Sequence, residues 1–222
     1  MQKLLSAPAA ERLLPTQPRA GCLLQGLAMR DLLILSAVIL CSGCAQLPPV
    51  EITDAPSGHT RAVVFDIDGT LTPHNFSVFE AREDAADAVR IFAAKGYKVI
   101  YLTARPRWAF QASIPGWLAR HRFPAGELHV PLSSADTDAP DVYKTRVLKQ
   151  LKQHGWKVEF AFGDSTTDFE AYDNAGIPKE HVFALKRLGE TSCQGGCFKA
   201  CWDGWAGHLS DIKSLVAAVP AN

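Results

Sequence analysis

The sequence predicts an α/β fold, a doubly wound parallel sheet with helices on both faces. Three observations carry that expectation. Apolar runs at 62–66, 97–102, 127–130, 158–162 and 182–185 alternate with stretches of helical period, as successive βαβ units do. Three of the runs end on Asp or Thr, at the carboxyl edge where such sheets bind ligands. The stretch 61–218 is long enough for one such core.

The chain ahead of that stretch reads differently. Residues 1–28 lack the charged start of a leader, so Met29 is taken as the start and 1–28 as an over-extended one. Residues 32–40 read LLILSAVIL, apolar but short for a membrane span, and lead into Cys41-Ser42-Gly43-Cys44. Segment 29–44 thus resembles a bacterial lipoprotein signal, with Cys44 as the lipidated first residue. A short membrane anchor or a buried apolar helix is the other reading of it. Ala45 after the cysteine, by the same resemblance, implies the outer membrane facing the periplasm of a Gram-negative cell. Residues 45–60 are Pro-rich without helical period, and are expected to be a tether.

The first strand of the domain runs into its most informative segment, VVFDIDGTLT at 63–72. Side chains alternate along a strand, so Asp66 and Asp68 leave its end on one side. Two carboxylates that close resist joint ionisation unless one keeps a proton or a cation lies between them. A hard ion such as Mg2+, which takes oxygen ligands and joins carboxylate to phosphate, meets that need. Gly69 and Thr70 form the turn that follows.

The second strand, in GYKVIYLTARP, ends on Thr103. Its hydroxyl and the backbone N–H groups of Ala104 and Arg105 are candidates to hold phosphate oxygens at a strand-to-helix turn. DVYKTRVLKQL then puts Lys144 near the start of an amphipathic helix, with Lys149 and Lys152 as competitors. The strand in KVEFAFGDSTTDFEAY ends on Gly163-Asp164, and Asp168 shares a face with Asp164 if helix follows at once. Ser165-x-x-Asp168 also fits a capping box, and both roles can coexist.

With these residues in view, the chain resembles the haloacid dehalogenase (HAD) superfamily of phosphatases. DxDGT at 66–70, Thr103, Lys144 and GDxxxD at 163–168 match its four motifs in order. The resemblance implies a HAD-like, Rossmann-like domain over 61–218 that hydrolyses phosphomonoesters. Asp66 would be the nucleophile and form an aspartyl-phosphate, and Asp68 would be the general acid and base. Mg2+ would be held by Asp66, the Asp68 backbone carbonyl and Asp164, supported by Asp168. Lys144 and Thr103 would orient the phosphoryl group, with Gly69, Thr70, Ala104 and Arg105 lining its seat.

The spacings from Asp66 to Thr103 and from Thr103 to Lys144 leave room for only a minimal cap. FDIDGT, YLTARP and the GD-type fourth motif look most similar to lipin-type phosphatidate phosphatases, which implies a phospholipid substrate beside the membrane. A periplasmic acid phosphatase for nucleotides or small organic phosphates would need the same residues. A non-catalytic lipid-binding module is a third possibility. Trp108, Phe110 and Trp117 are candidates to touch acyl chains or to form a buried helix face, and Arg105 and Arg107 to pair with a phosphate dianion. Lys plus Arg and Asp plus Glu balance at 23 each, so no basic field points to nucleic acid. In an oxidising compartment two of Cys193, Cys197 and Cys201 are expected to pair, with zinc as the competing use. Trp202 and Trp205 nearby are expected to pack. Oligomeric state has no signature in the sequence.

Overall fold

The structure is a computed structural model in which residues 46–216 are described. The expectations for 1–28 and 29–44, with lipidation at Cys44, lie outside those residues. Among the described residues six strands form one parallel sheet: β1 (Arg61–Phe65), β2 (Lys98–Leu102), β3 (Glu127–His129), β4 (Lys157–Gly163), β5 (Val182–Leu185) and β6 (Ala200–Trp202). Their spatial order is β3-β2-β1-β4-β5-β6. The order reverses between β1 and β4, so crossovers leave on opposite faces there and open a crevice beyond the strand ends.

Strand alternation divides the core into two layers. Val63 and Phe65 of β1 point to one face, where α1 (Ala85–Ala94), α2 (Ile114–Arg120) and the last helix supply Phe92, Trp117 and Ile212. Phe65 stacks on Phe162 at 5.0 Å and meets Phe92 edge-on at 5.7 Å, favourable geometries for aromatic pairs. Ala62 and Val64 point to the other face. After the short α3 (Ser134–Asp138), that face is covered by Tyr143, Val147, Leu148 and Leu151 of α4 (Pro140–Gln153) and by Phe169 and Tyr172 of α5 (Thr166–Asn174). The last helix is α6 (Leu209–Leu215). Five strands and the layering agree with the sequence reading.

The sixth strand was not expected, since ACW at 200–202 is three residues beyond a Gly- and Cys-rich loop. It is held by pairing to β5 and by Trp202, 4.6 Å from Phe183, while Trp205 packs 5.2 Å from Phe162. Cys193 and Cys201 form the disulfide and Cys197 is free and exposed, which removes the three-thiolate zinc reading.

The tether expectation needs correction. Residues 46–60 contain no helix or strand, yet they lie along the domain as a strap. Gln46 Nε2 donates to Leu132 O, Trp156 Nε1 donates to Thr53 O at 2.8 Å, and Ala55 N donates to His154 O at 2.8 Å. Pro48, Pro49 and Val50 sit beside β3 and α4. An edge strand exposes unpaired backbone groups, and covering β3 is one way to blunt that edge. The candidate aromatic group also divides: Trp117 is buried and donates to Glu80 O, whereas Trp108 and Phe110 are 74% and 55% exposed.

Candidate active site

The site grows from the ends of β1 and β4. Asp66 N donates to Phe162 O at 2.9 Å, extending the ladder one residue past β1 and fixing the Asp66 side chain, which is buried. β4 ends on Gly163, and α5 begins after Ser165, whose side chain accepts from Asp168 N while Asp168 accepts from Ser165 N. The capping box forms, and the same Asp168 also reaches the site. Its Oδ2 accepts from Asp164 N, Ser165 N and Ser165 Oγ, and its Oδ1 from Lys144 Nζ at 2.5 Å. Lys144 Nζ also stands 2.6 Å from Asp66 Oδ1. Its competitors Lys149 and Lys152 are exposed on α4.

Two glycines permit this closeness. Gly69 has φ +83°, and a Cβ there would lie 2.2 Å from Asp164 Oδ2. A Cβ on Gly163 would lie 2.7 Å from that of Asp168. Any larger residue would push the acids apart.

Asp66, Asp164 and Asp168 are all buried and offer carboxylate oxygens that lie within 4.8 Å of one another. Burial pushes the Asp66 carboxyl well above the usual range; Lys144 opposes this, and the neighbouring acids add to it. Burial likewise pushes Asp164 up to about 6, with Asp168 adding and Arg187 opposing. Burial alone would lower Lys144, but Asp168 and Asp66 more than reverse that, so it stays charged. Lys144 and Arg187 bring two positive charges to three carboxylates, and Asp66 Oδ2 is buried without a hydrogen-bond partner. An oxygen-only donor set with an orphaned, acid-rich oxygen fits a hard divalent cation. Asp66 and Asp164 offer the ligand oxygens; Asp168, fully hydrogen-bonded within the chain, stands behind them.

Asp68 lines the same cleft as Asp66 but is engaged elsewhere. It accepts from Thr103 Oγ1 at 2.7 Å, Phe76 N at 2.8 Å, and Arg105 Nη2 and Nε at 2.6 and 3.0 Å. Residues expected around the phosphate make contacts that the sequence did not predict. Thr103 is fully buried, with its hydroxyl on Asp68 and its N–H on His129 O, so in this structure it braces the acid. Arg105 clamps Asp68 and also donates to Ser77 O, and its N–H donates to Thr103 Oγ1. Gly69 N donates to Thr72 Oγ1, and Thr70 is buried below the site with its O accepting from Trp205 Nε1. Ala104 does line the cleft.

The cleft encloses about 420 Å³. Sequence reasoning missed Arg187, whose Nε lies 2.5 Å from Asp164 Oδ2, and Asn75 and Phe76, which rim the cleft beside the candidate Trp108. Phe76 and Trp108 meet edge-on at 5.5 Å. The basic pair Lys186-Arg187 directly after β5 was the available signal for Arg187. A larger hollow of about 620 Å³, between Arg82, Leu188, Trp205 and His208, lies apart from the acid cluster.

A family model described as the LNS2 domain of PITM 1-3 matches residues 63–186. Protein retinal degeneration B of Drosophila melanogaster is 32% identical over 169 residues, covering 73% of this chain and 13% of that protein. Membrane-associated phosphatidylinositol transfer protein 2 of Mus musculus is 33% identical over 175 residues, covering 77% of this chain and 12% of that protein. The chain therefore spans about an eighth of the length of these relatives. Among solved structures, a Mesorhizobium loti protein assigned as a HAD-like phosphatase superposes with a TM-score of 0.54 at 15% identity, covering 78% of this chain and 93% of that one. That likeness bears out the α/β, HAD-like fold.

Proposed function

Since the chain belongs to the LNS2 domain family of PITM 1-3, we propose that it is a Mg2+-dependent phosphomonoester hydrolase whose substrate is a phospholipid such as phosphatidate. One observation carries the reading: Asp66 is buried with Oδ1 on Lys144 and Oδ2 unpartnered, beside Asp164. A carboxylate oriented by Lys144, lining the cleft and left with an unpartnered oxygen for a cation, suits a nucleophile that attacks phosphorus. Attack by Asp66 expels the leaving alkoxide and gives an aspartyl-phosphate. Asp68 protonates that alkoxide, then takes a proton from the water that attacks phosphorus and returns Asp66 as a carboxylate. Lys144 fixes Asp66 throughout. Mg2+, held by Asp66 and Asp164, would neutralise the acids and draw charge from the phosphoryl oxygens.

The charge pattern supports a phosphate dianion. Within the ion-paired cluster four carboxylates (Asp66, Asp68, Asp164, Asp168) face three cations (Lys144, Arg105, Arg187). A divalent cation turns that small negative excess into a positive one.

Two features support a membrane substrate. Exposed Phe76 and Trp108 rim the cleft, and Trp108 also lines an adjoining groove with Pro106, Pro131 and Leu132. Gln46 donates to Leu132 O on that groove, only two residues after Cys44. A lipid on Cys44, in the outer membrane facing the periplasm, would then hold the cleft mouth near phospholipid. No helix among the described residues is long and apolar enough to cross a membrane. Palmitate labelling that is lost in Cys44→Ser supports the anchor, and equal labelling of both chains contradicts it.

Phosphate release from dioleoyl phosphatidate vesicles, compared with p-nitrophenyl phosphate and nucleotide monophosphates, tests the substrate. Preference for the small substrates would replace the phospholipid by a general phosphatase role. A second reading, a lipid-binding module without turnover, is favoured by the Arg105 clamp on Asp68 and by relatives that are phosphatidylinositol transfer proteins.

A further inference from the structure

Arg187 and a divalent cation would draw on the same carboxylate, that of Asp164. Arg187 Nε lies 2.5 Å from Asp164 Oδ2, and Asp164 is one of the three carboxylates grouped within 4.8 Å. The other two cations of the cleft are locked in place. Lys144 is 4% exposed between two carboxylates, and Arg105 is 2% exposed between Asp68 and Ser77 O. Arg187 is different, because its side chain is 31% exposed and lines the open cleft.

Resting on the phosphohydrolase reading, we propose that Arg187 is a displaceable guanidinium, exchanged at Asp164 for the divalent cation and then turned to the substrate's phosphoryl oxygens. A guanidinium and a divalent ion on one carboxylate repel each other strongly at a partly buried site. The more exposed and flexible of the two gives way. Released, the planar fork of Arg187 lies in the same cleft as the phosphoryl group, which it matches with parallel N–H donors. Arg187 therefore lowers cation affinity and raises phosphate affinity, so that a cleft without its metal does not retain phosphate well. No covalent step is involved.

The two effects have opposite signs, which a merely structural role would not produce. Isothermal titration calorimetry of the full chain with Mg2+, and with inorganic phosphate at saturating Mg2+, reads both. For Arg187→Gln the expected result is a Mg2+ Kd lower by about tenfold and a phosphate Kd higher by about tenfold. Arg187→Lys, which keeps a point charge but loses the fork, should fall between on Mg2+ and stay weak on phosphate. Unchanged or weaker Mg2+ binding by Arg187→Gln overturns the proposal, as does unchanged phosphate binding. If wild type binds Mg2+ and only the Arg187 effects fail, the phosphohydrolase reading stands. Should neither wild type nor Arg187→Gln bind Mg2+, both fall together.

Discussion

Arg105 grips Asp68 through two nitrogens, with Nη2 2.6 Å and Nε 3.0 Å from Oδ1. With Thr103 and Phe76 N also donating, both oxygens of the expected acid and base are engaged. Bidentate, charge-assisted contacts are among the stronger hydrogen bonds and fix orientation as well as charge. Asp68 is accordingly held in one orientation in the cleft it shares with Asp66, and its proton transfers must occur against this grip.

That arrangement separates proton transfer from metal binding. Asp68→Asn is expected to slow turnover by roughly 10²- to 10⁴-fold, the usual contribution of general acid and base catalysis. Mg2+ binding should persist, because the Asp68 side chain is outside the acid triad. Steady-state kinetics beside calorimetry checks both, and unchanged turnover would remove Asp68 from the chemistry.

Lys144 bears on stability as much as on the site. It is buried between Asp66 and Asp168, and removing one partner of a buried ion pair costs roughly 3–5 kcal/mol. Lys144→Met should therefore lower the urea midpoint markedly. A midpoint within error of wild type would show that the acids do not depend on Lys144.

Gly69→Ala tests the close approach at the turn. The new Cβ would stand 2.2 Å from Asp164 Oδ2 at a φ of +83°, so backbone strain and a displaced ligand come together. The conformational part alone is about 1 kcal/mol. Mg2+ should bind more weakly by about tenfold or more, read by calorimetry.

The disulfide guards the loop that covers the start of α5. Cys193 and Cys201 are 8 residues apart; within that loop Gln194 accepts from Thr166 N and Phe198 packs 5.0 Å from Phe169. Chain-entropy arguments put such a cross-link at about 2.5 kcal/mol. Urea denaturation with and without a dithiol should show a loss of that order, absent in Cys193→Ser.

Much of the site was legible because its residues sit where strands end. Asp66 and Asp164 each follow an apolar run whose period fixes direction, which brings them to one edge, while Lys144 is singled out from Lys149 and Lys152 by the family resemblance. Thr103 and Arg105 were found as positions but not as contacts, since a strand end does not say whether a hydroxyl turns to ligand or to a neighbouring acid. Arg187 was missed because a basic residue after a strand is ordinarily solvated. The strap of 46–60 was misread for a related reason. Its attachment is by single hydrogen bonds at Gln46, Thr53 and Ala55 and by half-buried Leu47 and Ile52, which leave no periodic pattern. A three-residue strand such as β6 leaves none either.

Whether this cleft turns over its ligand or only holds it is decided most directly by phosphate release from phosphatidate vesicles, comparing wild type with Asp66→Asn, each with Mg2+ and with EDTA. Wild type should release phosphate only with Mg2+, and Asp66→Asn should release none while its fold, read by circular dichroism, is kept. Vesicle binding by wild type without any phosphate release, or equal release by Asp66→Asn, would contradict Asp66 as a nucleophile.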